Sequence, residues 1–321
     1  MTDTSVEAAP ELPVVVEVVD RVGRLTLNRP RAINALTREM IALLQAAFDA
    51  WRDDESVRTV ELTGAGERGF CSGADVRALR QDLLDDPELA FAFLTEEYRL
   101  NATIADYPKP VTAVMEGITM GGGMGLSAHA THRVGTSSTQ IAMPEVTIGF
   151  FPDVGVLHPM SRMPGESGTW MALTGDSLDA SSALWAGLLT QTDELEVHPE
   201  ESWLARASGG IDECFAGDDA GAIVDRLRRH DSSEARETAE LIASRSPLSV
   251  AVSLEALRRA SAMGSVDEVL AQDLSLARAF LVGSDFVEGV RAQLVDKDRS
   301  PRWQHASVDE VPRDQVLGYF G

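Results

Sequence analysis

The chain has 321 residues, 44% hydrophobic and 25% charged, enough for one large domain or a core with a smaller module. With 51 acidic against 28 basic residues the net charge is −23, which argues against general nucleic-acid binding because that needs a basic face. Two cysteines, Cys71 and Cys214, give neither a disulfide framework nor metal-ligand spacing, and no apolar run reaches the length of a membrane-spanning helix.

Residues 1–12 are polar, acidic and free of basic residues. They lack the basic start of a secretory signal and the arginines of a transit peptide, so they read as a loose tail on a cytoplasmic protein. From Pro13 to Pro30, "PVVVEVVDRVGRLTLNRP" reads as two strands joined by a turn at Asp20–Gly23. A helical stripe follows, Met40, Ile41, Leu44, Ala47, Phe48 and Trp51, with Thr37 as its N-cap. "VRTVELTG" (Val57–Gly64) is a further strand, and helices are expected within 71–84 and over 88–107. "PVTAVMEGI" (Pro110–Ile118) reads as one buried strand, and "LSAHATHR" after the glycine run as helix. Alternating strand and helix signals an α/β core over residues 13–200. The acidic, glycine-bearing stretches "TDELEVHPEE" and "ASGGIDECFAGDDAG" read as linker or loop. They open a mainly helical region over 201–321, in which Pro247 after Ser246 marks a helix start.

The glycine pattern "GAGERG" (Gly64–Gly69) matches a dinucleotide fingerprint only formally. "FCSGAD" intervenes before any helical stripe, so a surface loop is the better reading. No G-x-S-x-G elbow is present. His129 and His132 have no partner at ligand spacing and read as ordinary helix residues, so no metal site is expected; Cys71 reads as a small buried thiol. Two other glycine sites open probable helices: Gly73–Ala74–Asp75 in "CSGADV", and Gly121–Gly122–Gly123 in "TMGGGMGLS". A helix start offers free N–H groups, so two such sites facing each other could form an oxyanion hole. Tight packing accounts for each run taken singly. In "MPEVTIGFFPDVG", Glu145 and Asp153 flank an apolar run. A carboxylate pair across an apolar pocket suits acid, base or nucleophilic work. By spacing alone, a solvent-facing loop residue and a turn residue account for them better.

The ordered set "LNRPRAINAL", "GAGERGFCSGADVRAL", "KPVTAVMEGITMGGGMGLS" and "AMPEVTIGFFPDVG" resembles the crotonase (enoyl-CoA hydratase/isomerase) superfamily. Within it, "EYRLN", "EGITMGGG", "FPDVG", "ALTGDSL" and "DFVEGVRAQLVDKDRSPRW" are most similar to the 3-hydroxyisobutyryl-CoA hydrolase group. The resemblance spans roughly Val14 to Trp303 and implies a spiral of ββα units with a helical C-terminal region. It implies an acyl-coenzyme A thioester as ligand, with coenzyme A part of the substrate and no separate cofactor. The amides of Ala74 and Gly122 would form the oxyanion hole, with Gly73, Asp75 and Gly121 beside it. Hydratases of this superfamily use two glutamates; here the first position is Gly125 and the second Glu145. The hydrolase group instead carries the carboxylates that match Glu145 and Asp153, which implies thioester hydrolysis with Glu145 at the acyl carbon and Asp153 positioning the substrate hydroxyl or water. Glu116 is a further candidate substrate contact. Arg29, Arg31 and Lys297 are candidates for the coenzyme A phosphates. Relatives of this kind often form trimers or paired trimers. Hydratase or isomerase activity and a non-catalytic acyl-CoA-binding protein are the competing readings.

Overall fold

The computed structural model describes residues 12–193 and 197–321. The expected tail over 1–12 therefore lies outside the described residues, apart from exposed Leu12. Strands β1 (Val14–Val19) and β2 (Val22–Leu27) form the expected hairpin. Its two turn residues, Asp20 and Arg21, both take positive φ (51° and 68°), the mirror-image turn that matches the twist of the paired strands.

Seven more strands follow: β3 (Thr59–Gly64), β4 (Val111–Met115), β5 (Ile118–Met120), β6 (His132–Gly135), β7 (Gln140–Ala142), β8 (Leu178–Asp179) and β9 (Gln191–Thr192). The larger sheet runs β1-β2-β3-β4-β6-β9, parallel after the hairpin. A smaller sheet runs β5-β7-β8. Parallel neighbours require crossovers. The helix Arg38–Trp51 makes the first, capped by the Thr37 hydroxyl, which accepts from the Met40 amide. The helices Val76–Asp85 and Pro87–Ala105 make the second, between β3 and β4.

The single strand expected over Pro110–Ile118 is two strands in different sheets. The chain breaks at Glu116 and Gly117 (φ 62°), where an added side chain would press on the backbone of Arg68 and Gly69. The helix expected in "LSAHATHR" ends at Ser127, and His132 opens β6, paired with β4. Sheet pairing there overrides a weak helical pattern.

The helices Trp203–Phe215, Ala220–Arg229, Ser233–Ala243, Pro247–Ala260 and Val266–Val282 build the C-terminal region. Each starts at a Ser or Asp cap: Ser202, Asp219, Ser232, Ser246 and Ser265 all accept a first-turn amide. Part of the expected loop "ASGGIDECFAGDDAG" is helix, running through Gly209 and Gly210 to Phe215. Burial of Leu204, Ile211, Cys214 and Phe215 outweighs a glycine penalty of about 1 kcal/mol each.

The C-terminal helices reach the core through aromatic rings. Phe150 contacts Phe151, Phe280 and Phe286 at centroid distances of 4.7, 5.4 and 5.5 Å, and Phe151 stacks on Phe280 at 5.2 Å. This cluster anchors the segment between Glu145 and Asp153. Phe151→Ala should therefore lower the unfolding free energy by about 3–5 kcal/mol, read as a lower denaturant midpoint with unchanged slope.

Candidate active site

A cavity of about 600 Å³ opens where the glycine run, the segment 144–154 and the C-terminal region meet. Its apolar wall includes Val76, Leu79, Leu94, Phe150, Phe286 and Leu294. Its polar lining includes Glu97, Glu145, Asp153, Arg245 and Arg299.

The floor is the start of the helix Gly122–Ser127. Each of the three glycines leaves room for a different neighbour. A Cβ on Gly121 would lie 2.9 Å from Glu145 Oε1, one on Gly122 would collide with Glu97 Oε1, and one on Gly123 would press on the Cys71 carbonyl. The second glycine site closes against the first. A Cβ on Gly122 would lie 3.4 Å from the Ala74 nitrogen, and one on Gly73 would lie 3.3 Å from the Gly122 nitrogen. Neither the Ala74 nor the Gly122 amide donates to a protein acceptor among the described residues. Two free N–H groups thus border one point at the cavity floor, which is the donor pair an oxyanion requires.

Glu145 opens a short 3-10 turn, Glu145–Ile148, that begins after Pro144 and ends at left-handed Gly149. It is 7% exposed, and its Oε2 has no hydrogen-bond partner. Asp153 is 6% exposed and accepts the Tyr98 hydroxyl at 2.6 Å. Glu145 is thus not the solvent-facing loop residue that spacing alone favours. Asp153 does open a turn, its carbonyl accepting the Val156 amide at 3.1 Å, but its carboxylate is buried.

Glu97, which sequence reasoning missed, completes the carboxylate set. It is 1% exposed, and its Oε1 has no partner. It lies on the inner face of Pro87–Ala105 with Phe93, Leu94, Leu100 and Ile104. An acid inside that apolar stripe was the signal available. Asp273, fully buried behind Asp153, was missed in the same way.

None of Glu97, Glu145, Asp153 and Asp273 has a cationic side chain paired with it among the described residues. Burial, reinforced by the Asp153 charge, holds Glu97, Glu145 and Asp273 well above the usual carboxylate range. Burial pushes Asp153 itself up to about 7, against the Tyr98 hydrogen bond, which pulls it down. A buried set of carboxyl groups with raised proton affinity is suited to acid–base work.

Gly125, where hydratases place their first glutamate, is filled from outside. A Cβ there would lie 2.7 Å from Asn101 Nδ2 and 2.8 Å from Val154 Cβ. No carboxylate fits at that position without moving both neighbours.

The structure brings Gly73, Ala74, Gly121, Gly122, Glu145 and Asp153 together around the cavity. Five other candidates lie outside its lining. Glu116 follows the alternation of β4 outward; its side chain is exposed, and its carbonyl accepts the Phe70 amide. Asp75 caps the helix Val76–Asp85 and pairs with Arg29 at 3.2 Å. Arg31 and Lys297 are exposed. The basic groups that do reach the cavity are Arg245, whose Nε holds the Thr174 carbonyl at 2.8 Å, and Arg299, which has no acidic partner among the described residues. Arg299 stands on a strap that Arg291 ties down, through both carboxylate oxygens of Glu288 and through Asp296 and Asp298.

A family model described as enoyl-CoA hydratase/isomerase matches residues 22–196 and 190–320. Among curated proteins, the mitochondrial 3-hydroxyisobutyryl-CoA hydrolase of Xenopus tropicalis is 36% identical over 93% of this chain and 86% of its own length. The human protein of that name is 34% identical over 96% and 88%. A solved structure named carnitinyl-CoA dehydratase, from Mycobacterium thermoresistibile, is 42% identical and superposes with a TM-score of 0.92 over 97% of both chains. One named enoyl-CoA hydratase, from Rhodobacter sphaeroides, is 36% identical with the same TM-score over 96% of this chain and 97% of its own. These superpositions bear out the expected ββα-spiral core with its helical C-terminal region.

The raised Asp153 gives a test that needs no ligand. Below the ordinary value of 3.8, folded and unfolded chains both hold its proton. As pH rises toward about 7 the unfolded chain loses that proton first, so the folded state loses stability. Asp153→Asn should therefore raise the melting temperature more at about pH 8 than at about pH 5. Calorimetry at both values checks this; a pH-independent difference would contradict the raised value.

Proposed function

Because the chain belongs to the enoyl-CoA hydratase/isomerase family, we propose that it is an acyl-CoA thioester hydrolase, converting 3-hydroxyisobutyryl-CoA and water to 3-hydroxyisobutyrate and coenzyme A. The observation that carries this reading is the filled position at Gly125, beside an intact Glu145 and Asp153. The position of the hydratases' first glutamate holds no carboxylate here, whereas hydrolysis needs one carboxylate at the acyl carbon.

The thioester carbonyl would lie between the Ala74 and Gly122 amides. Charge developing on its oxygen would gain about 3–4 kcal/mol from each donor. Ionised Glu145 either attacks the acyl carbon, giving an anhydride that water then cleaves, or takes a proton from the attacking water. In the direct route water's oxygen ends on the acyl carbon. In the anhydride route water adds to one of the two anhydride carbonyls and regenerates Glu145. In both the sulfur leaves as the thiol. Asp153 orients the 3-hydroxyl or the water, and Glu97 lines the same cavity. Arg245 and Arg299 are the cationic groups best placed for the phosphates of coenzyme A. No separate cofactor is invoked. From the product, 3-hydroxyisobutyrate, we also propose a role in valine degradation.

A hydratase or isomerase that moves protons with Glu145 alone is the second reading, favoured by the names of the two solved structures. A non-catalytic acyl-CoA-binding protein would bind thioesters without releasing thiol. We assign the protein to the cytoplasm, although the vertebrate relatives are named mitochondrial; fractionation of the source cells decides this. A trimer or paired trimer is the assembly we propose.

Free thiol release from 3-hydroxyisobutyryl-CoA, with crotonyl-CoA hydration in parallel, separates these readings. Glu145→Gln should slow thiol release by at least about a hundredfold while binding changes little. Hydration without thiol release would replace the hydrolase with a hydratase. Since Glu145 works ionised and its proton is held tightly, kcat/KM should rise with pH through an apparent value above the usual carboxylate range. A flat profile from pH 5 to pH 8 would remove Glu145 from that role.

A further inference from the structure

The turn that carries Asp153 is gripped by two side chains that the chemistry above does not use, the half-buried His129 and the buried Asp273. Val154 and Gly155 both take left-handed backbone, with φ of 55° and 74°. For a β-branched residue that conformation is unfavourable and needs outside support. The support falls on one peptide unit. Its carbonyl, Val154 O, lies 2.9 Å from His129 Nε2. Its N–H, on Gly155, donates to Asp273 Oδ2 at 2.7 Å. A carbonyl can only accept, so His129 carries its proton on Nε2.

The two groups come from distant elements. His129 lies just beyond the helix Gly122–Ser127 of the glycine run, and Asp273 lies within Val266–Val282. The space around the turn is closed. A Cβ on Gly155 would lie 3.0 Å from His129 Nε2, 3.0 Å from Val266 Cγ1 and 3.1 Å from Leu270 Cδ2. On the cavity side, Tyr98 holds the Asp153 carboxylate. The aspartate is thus fixed at its side chain by Tyr98, and the Val154–Gly155 peptide one residue further on is held by His129 and Asp273.

We propose that His129 and Asp273 clamp the Val154–Gly155 peptide and thereby aim Asp153 into the cavity, acting as positioning residues for the hydrolysis. This rests on the proposed activity only for its kinetic consequence. The clamp needs a donor at residue 129 and an acceptor at residue 273, not a charge at either. Burial keeps His129 neutral, lowering it to about 4, which agrees with that requirement.

The experiment compares two pairs of variants. Asp273→Leu and His129→Leu each remove one end of the clamp, and either is informative if the other fails to fold. Asp273→Asn and His129→Gln keep an acceptor and a donor in place. The leucine variants should lose kcat by about a hundredfold with little change in KM, as for a misplaced catalytic group, and the conservative pair should keep most of the rate. Hydrogen–deuterium exchange over residues 150–157 gives a readout independent of turnover. Protection of the Gly155 amide should be lost in Asp273→Leu and retained in Asp273→Asn. Folded leucine variants with wild-type kcat and unchanged protection would overturn the clamp, as would conservative variants as impaired as the leucines. Wild-type enzyme that releases no thiol would count against the proposed activity alone, and the exchange result would still decide the clamp.

Discussion

The site depends on three consecutive residues having no side chains. At Gly121, Gly122 and Gly123 the missing Cβ atoms make room for Glu145, Glu97 and the Cys71 carbonyl. Any larger residue would push one of these away and cover the free amide of Gly122. Three glycines cost backbone entropy wherever they stand. Here that cost is offset because the run is fully buried, at the start of a helix between two sheets. The close approach also sets the electrostatics, since it brings two buried carboxylates against a helix start.

Those carboxylates are the second constraint. Four acids share a buried region with no cationic partner among the described residues, which a fold selected for stability alone would avoid. Burial raises the proton affinity of all four, so each ionises less readily than an exposed carboxyl group. Aromatic packing of Phe150 and Phe151 on Phe280 and Phe286 holds the backbone that carries two of them. The same property that makes these groups useful makes them destabilising, as at many active sites.

Much of the architecture could be read locally. The first hairpin, the stripe of Arg38–Trp51 and the serine-capped C-terminal helices follow from signals within a few residues. The glycine run at a helix start could be read for the same reason. What could not be read depends on contacts far apart in the chain. The split of the expected strand at Gly117 depends on Arg68 and Gly69. Glu97 belongs to the site only because its helix packs against the glycine run, far away in sequence, while Glu116 is near the glycines in sequence but faces out. Lys297 is the sequence candidate on the strap, yet Arg299, two residues on, is the one that lines the cavity, and nothing local distinguishes them.

The central claim is that the bare glycine run presents the Gly122 amide, together with that of Ala74, to a thioester carbonyl. The most direct measurement is isotope-edited infrared spectroscopy of a carbonyl-labelled acyl-CoA bound to Glu145→Gln, in which turnover is blocked. The account predicts a carbonyl stretch well below its frequency in water, because two amide donors polarise the bond. A bound thioester with a stretch at or above its aqueous frequency would contradict it.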